Sequence, residues 1–203
     1  MHLIVFVSER PRSREAKQSY GLRKKGWRTV LLYKHTPNYN VNKYFDNCTQ
    51  YSNPIDAVRT AKKLSPLVCH VHSLFSIDET SLIFMLQKPA KIVFDVNDTA
   101  DAMYNEKYKL GNKIIKDQKI NEKFLIENAD GLCCRDYQLQ YTIEKNGLTP
   151  PKHRILFHEY CGNEEFVTGD KLSAKTGESH VVQVGNFDIE KHVYFIPQKK
   201  SPC

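Results

Sequence analysis

Two short apolar runs in this chain stop at polar side chains able to do chemistry. One reads Pro66-Leu67-Val68-Cys69-His70-Val71-His72-Ser73 and the other Lys91-Ile92-Val93-Phe94-Asp95-Val96-Asn97-Asp98. On a strand His70 and His72, two apart, share a face, and His72, at the end, reaches furthest toward a crevice. A neutral histidine there serves as general base on a hydroxyl, because its pKa lies close to working pH. Asp98, past the strand, can orient a polyol or the histidine, so His72 and Asp98 form the candidate catalytic pair. Asp95 can accept from the backbone of a turn or from a substrate. Two histidines and two aspartates could supply the three convergent ligands a metal needs, but their spacing defines no ligand set, and no metal is expected. The bland reading of the same residues makes His70 a hydrogen-bonded core histidine and Asp98 the cap of a helix starting at Thr99.

Other candidates sit at the ends of later runs. Arg135, closing an expected strand over 130–135, can meet a phosphate or carboxylate bidentately, or pair with Glu144 at a helix start. Glu159 follows the expected strand Arg154–His158. Gly162, close behind Glu159, and Gly185, which ends the strand His180–Val184, would let backbone approach a ligand.

These residues need a frame that brings strand ends together. His2–Ser8 reads as a buried strand, and Ser13 as the N-cap of a helix running to Lys25 and stopping at Gly26. Arg28–Tyr33 is the next strand, which completes a right-handed βαβ unit. A polar loop over 35–43 and a short third strand, Tyr44–Tyr51, follow. Asn53-Pro54 opens a helix with Ala57, Val58, Ala61 and Leu64 on one face. The His-x-His strand, a helix from about Ile77 to Gln87 and the Asp-x-x-Asp strand come next. A tyrosine-rich stretch over 99–112, a long helix Lys113–Asn128 and a helix Tyr137–Asn146 complete the alternation. Continuous apolar runs separated by helical segments are the mark of parallel strands buried on both faces. The expected fold is a doubly wound, mostly parallel α/β sheet of about seven strands over 1–166, a linker over 167–178, and the first strand of a second domain over 179–203. In such sheets ligands sit beyond the carboxyl ends of the strands.

Composition excludes several classes. Forty per cent apolar and 26% charged residues are ordinary for a globular protein. The turn after the first strand, Ser8-Glu9-Arg10-Pro11, has no glycine, which argues against nicotinamide, flavin or phosphate-loop chemistry there. No organic cofactor is expected. The net charge is +7, and residues 1–30 carry eight Lys/Arg against two Glu, so most of the excess lies early. That basic face could meet phosphates or, peripherally, an anionic membrane surface, or be a solvated helix face. No helix-turn-helix, zinc-finger or RNA-binding signature is present, and nucleic acid is not an expected partner. The six cysteines include no C-x-x-C pair, and Cys69, Cys133 and Cys134 fall inside expected strands. A reduced, cytoplasmic location follows, and the apolar run Leu3–Val7 is too short for an export signal.

Taken in order, these segments resemble the N-terminal half of a GT-B glycosyltransferase, similar to the family-4 retaining enzymes. The resemblance rests on the opening strand with Arg12-Ser13-Arg14, and on Gly26-Trp27-Arg28-Thr29-Val30. It continues through Val68–Ser73, Val93–Asp98, Glu127-Asn128-Ala129-Asp130-Gly131-Leu132, Arg154–Tyr160 and Val181-Val182-Gln183-Val184-Gly185, covering about residues 2–196. It implies a Rossmann-like acceptor-binding domain and sugar transfer from a nucleotide-sugar without an obligatory metal. It further implies acceptor-side roles for His72, Asp98 and Arg135, and a donor-side place for Gly185; Arg12, in the opening motif, is a candidate substrate-binding residue. Partners would be the nucleotide-sugar and a sugar or lipid-linked acceptor. The E-x-x-x-x-x-x-x-E donor motif of the family is missing before Cys203. The resemblance therefore implies an acceptor-side lobe, inactive alone, either truncated or completed by a donor half on another chain. The alternative is a non-enzymatic, flavodoxin-like binding module.

Overall fold

A computed structural model of the chain describes residues 2–37, 39–72, 78–96, 100, 112–134, 143–151 and 153–156. The elements are β1 (Leu3–Ser8), α1 (Ser13–Lys24), β2 (Arg28–Tyr33), a 3-10 turn (Val41–Lys43), β3 (Asn47–Gln50), α2 (Pro54–Leu64), β4 (Val68–His72), α3 (Glu79–Gln87), β5 (Lys91–Val96), α4 (Asn112–Asn128), β6 (Gly131–Cys134) and β7 (His153–Leu156). The strands form one seven-stranded sheet in the order β3-β2-β1-β4-β5-β6-β7, with every pairing parallel. The expected α/β doubly wound sheet is therefore present. All described residues belong to one compact unit, Met1–Val167. The expected linker and the strand beyond it lie outside the described residues.

Alternation along each strand sorts side chains to two faces. Val5, Val7, Cys69, Val71, Phe94 and Leu132 belong to the main core, with Val58, Phe84, Leu125 and Ile126 from α2, α3 and α4. Each such large side chain, fully buried, contributes about 1.5–3 kcal/mol, so this face carries most of the cohesion. The other face has a smaller apolar cluster of Ile4, Phe6, Leu31, Val41 and Phe45, against which Leu22 of α1 packs. Helices on both faces explain why β4, β5 and β6 read as almost continuous apolar runs.

Local chemistry sets the boundaries. Asn53 caps α2 by accepting from Asp56 N at 3.0 Å, with Pro54 in the first turn, and Asp78 caps α3 by accepting from Ser81 N at 2.6 Å. Gly26, at φ +80°, makes the left-handed turn into β2 that a β-carbon would strain. The Asp130 carboxylate accepts from Ile92 N at 2.9 Å and pairs with Lys91 at 2.9 Å, fastening the turn before β6 to the start of β5.

Several expected boundaries are corrected. The N-cap of α1 is Arg12, whose backbone N donates to Glu15 Oε2 at 3.0 Å, and Ser13 is the first helical residue. The loop over 35–43 contains the 3-10 turn, with Val41 buried, and the third strand narrows to Asn47–Gln50. Asp130 lies in the turn before β6 and not in the strand. Among the described residues no helix is long and apolar enough to cross a membrane.

Candidate functional site

The order of strands reverses between β1 and β4, since the chain winds outward through β2 and β3 before returning to β4. A doubly wound sheet opens its crevice at this switch point. Parallel register lines Ser8 up with His72, His72 with Asp95, and Asp95 with Cys133. Four adjacent strands thus present a row of polar side chains near their carboxyl ends, all on the face that α1 covers.

Helix α1 supplies the partners. Arg14 Nη1 donates to Asp95 Oδ1 at 2.9 Å, and Gln18 Nε2 approaches Asp95 Oδ2 at 3.4 Å. Glu15 Oε1 forms an ion pair with His72 Nδ1 at 2.8 Å, and Ser8 Oγ stands 3.4 Å from the same nitrogen. His72 is 2% exposed, and Glu15 and Asp95 are fully buried, so these charges interact through protein and not through solvent. Two opposite pairs balance one another within this layer. Removing either member of a pair leaves its partner as an uncompensated buried charge.

Burial acts to raise the Glu15 pKa, but the His72 charge and hydrogen bonding outweigh it, and the carboxyl lies below its usual range. Burial acts to lower the His72 pKa, but Glu15 and Asp95 outweigh it, and the imidazole holds its proton more tightly than a free histidine. Asp95 is opposed by burial in the same way and is driven well below the carboxylate range by His72, His70 and Arg14. A charged imidazole in this position can donate a hydrogen bond while keeping the strand ends in register.

The layer braces the loop on the rim. Exposed Arg12 begins α1, and its carbonyl accepts from Tyr39 Oη at 2.9 Å. Lys34 pairs with Glu9 at 3.2 Å, and His35 N donates to Glu9 O at 2.8 Å. Arg10, Arg12 and His35 face solvent around this end of the sheet.

Of the residues singled out in the sequence, His72 and Asp95 come together beneath α1, and Arg12 lies at the rim as a helix cap. Asp98, Arg135, Glu159 and Gly185 lie outside the described residues. The carboxylate of Asp95 meets a guanidinium where a turn backbone was expected. Sequence reasoning missed Ser8, Arg14, Glu15, Gln18 and Cys133 as members of the layer. The stretch Ser13-Arg14-Glu15-Ala16-Lys17-Gln18 reads as a solvated helix start. The available signal was indirect: polar residues inside buried strands require polar partners, and only a neighbouring helix can bring them.

No protein-family model matches the sequence, and no curated protein matches it significantly. Among solved structures, the chain is similar to a sucrose-phosphate synthase from Thermosynechococcus elongatus, at 11% identity and a TM-score of 0.50, over 80% of this chain and 91% of that one. A protein described as a short-chain alcohol dehydrogenase from Burkholderia multivorans aligns at 8% identity over 75% of this chain and 94% of that one, with a TM-score of 0.39. The first likeness is one of fold, and the second is too low to carry an argument.

Proposed function

We propose that this chain is the acceptor-side lobe of a two-lobe glycosyl-transfer enzyme. The observation that carries the reading is the convergence of the polar endings of β1, β4 and β5 at the switch point of a sheet whose fold resembles that of a sucrose-phosphate synthase. In this reading an acceptor sits on the rim beside Arg10 and Arg12, with its hydroxyl directed toward the His72 end of the sheet, and His72 and Asp98 act as the catalytic pair. Arg12, Asp95, Arg135 and Glu159 provide or support acceptor contacts, and Gly185 belongs to the side facing a donor lobe. The nucleotide-sugar is held by that donor lobe, so this lobe alone binds acceptor without turnover, in the cytoplasm.

A second reading has its own support. His72 and Asp95 are consumed by contacts to α1 and are almost wholly buried, which suits a non-enzymatic α/β binding module whose polar layer only braces the fold. The test is to incubate the purified chain with panels of sugars, sugar phosphates and nucleotide-sugars, following thermal stability and free nucleotide. Stabilisation by an acceptor sugar or sugar phosphate, with no nucleotide released, is the expected result. Nucleotide release by the chain alone, or indifference to every sugar, overturns the reading.

A further inference from the structure

One corner of the polar layer is incompletely satisfied. A His70 ring nitrogen, an Asp95 carboxylate oxygen and Cys133 Sγ lie within 4.8 Å of one another on three adjacent strands. His70 is 6% exposed, and its Nε2 has only a loose contact with Asp95 among the described residues. The nearby oxygen, Asp95 Oδ2, stands 3.4 Å away. Gln18 leans into the same corner, its Nε2 at 3.4 Å from Asp95 Oδ2 and 3.9 Å from Cys133 Sγ, while its Oε1 is buried with no hydrogen-bond partner among the described residues. A buried polar atom without a partner is costly. The His70 nitrogen stands beside a carboxylate and a thiol, and turning the Gln18 amide end for end would bring its orphaned oxygen to the same corner; both point to an occupant.

We propose that His70, Asp95 and Cys133 hold one divalent transition-metal ion of the zinc type, with the Gln18 amide turned end for end so that Oε1 takes the place of Nε2 as a fourth donor. The donor set is one imidazole nitrogen, one thiolate and two oxygens, a mixture that suits a tetrahedral ion of borderline softness. Bonds of about 2.0–2.3 Å place ligand atoms roughly 3.3–3.8 Å apart. The side chains therefore need to close by no more than about 1–1.5 Å from their 4.8 Å limit, through side-chain rotation on a fixed sheet. Arg14 on Asp95 Oδ1 leaves Oδ2 for the ion and fixes the carboxylate, the part an outer partner plays at such sites.

Charge is the counter-argument, and it sets the strength of the site. Arg14 and His72 both approach from α1 and β4, but each is matched, by Asp95 and Glu15 respectively. The ion then meets one new negative charge, the Cys133 thiolate, whose proton leaves to solvent on binding. The site is accordingly weaker than one built of four cysteines. Its role is to tie β4, β5, β6 and α1 together, independent of what the rim binds.

The test titrates the full chain, purified with chelator, with cobalt(II), then displaces cobalt with zinc. A single saturable equivalent is expected, with a sulfur-to-cobalt charge-transfer band and the intense visible bands of a four-coordinate ion. Cys133→Ser should remove the sulfur band, and His70→Gln should weaken binding by roughly tenfold or more. Cys48→Ser, which alters a partly exposed thiol outside the cluster, should change neither. The native-chain spectrum decides the matter even if a core variant fails to fold. Absence of a saturable sulfur-ligated spectrum, as a water molecule in this corner would give, overturns the proposal. So does a sulfur band that survives Cys133→Ser.

Discussion

Replacing Glu15 with glutamine removes one charge from the buried layer while keeping volume and most hydrogen-bonding shape. Glu15 is fully buried and 2.8 Å from His72, so the change strands an imidazolium beneath α1. Breaking a buried pair in this way costs about 3–5 kcal/mol, a large share of the ~5–15 kcal/mol that holds a domain folded. At about 2–4 °C per kcal/mol for a chain of this size, the melting temperature falls by roughly 6–20 °C. The pH dependence is more telling than the size. Glu15's folded pKa is lowered from 4.5 and His72's is raised from 6.5. The stability from Glu15 is therefore present above its unfolded value and lost as pH falls through its folded one. That from His72 is present below its unfolded value and lost as pH rises through its folded one. The native pair contributes most between the two unfolded values. In Glu15→Gln the desolvation of His72 is opposed chiefly by Asp95, which Arg14 partly neutralises, so His72 sheds its proton more readily. The gap between native and variant should be widest near mildly acid pH and narrow as pH rises. Urea melts of both proteins from acid to mildly alkaline pH measure it. A gap independent of pH, or one below about 1 kcal/mol as for an exposed pair, refutes the reasoning.

Other expectations follow from single contacts. Arg14→Met leaves Asp95 buried without its guanidinium and should cost about 3–5 kcal/mol. Because Asp95's depressed pKa contributes stability that is lost as pH falls, the same variant should unfold at a higher pH on acid titration followed by circular dichroism. Gly26→Ala meets no atom within 4 Å but must hold φ +80°, so it should lower stability by about 1–2 kcal/mol through backbone strain alone. Asn53→Ala removes the acceptor for Asp56 N and should cost about 1 kcal/mol, visible as a small drop in the thermal midpoint.

The sheet was legible because its signal is local. Val68-Cys69-His70-Val71-His72 and Lys91-Ile92-Val93-Phe94-Asp95-Val96 are bounded apolar runs, and burial on both faces forces that composition. Arg28–Tyr33 and the glycine stop before it were equally plain, since Gly26 does there what few other residues can. Helix α1 was legible as a helix but not as a lid. Arg14, Glu15 and Gln18 turn inward only because His72 and Asp95 lie opposite them, a pairing across about 60 to 80 positions that local composition does not encode. Helix α1 starts one residue earlier than Ser13 suggests for a related reason. Ser13 is the more usual cap, but Glu15 reaches back to the backbone N of Arg12 and so ends the non-helical segment there.

If the rim over β1 and β4 is the acceptor surface, amide chemical-shift mapping of the isotope-labelled full chain locates the ligand there. A sugar or sugar-phosphate ligand found in the stability screen should move the amides of Glu9, Arg10, Arg12, Lys34 and His35, leaving Arg28, Leu67 and Lys91 at the opposite end of the sheet unmoved. Shifts confined to that opposite end, or none at saturating sugar, would contradict it.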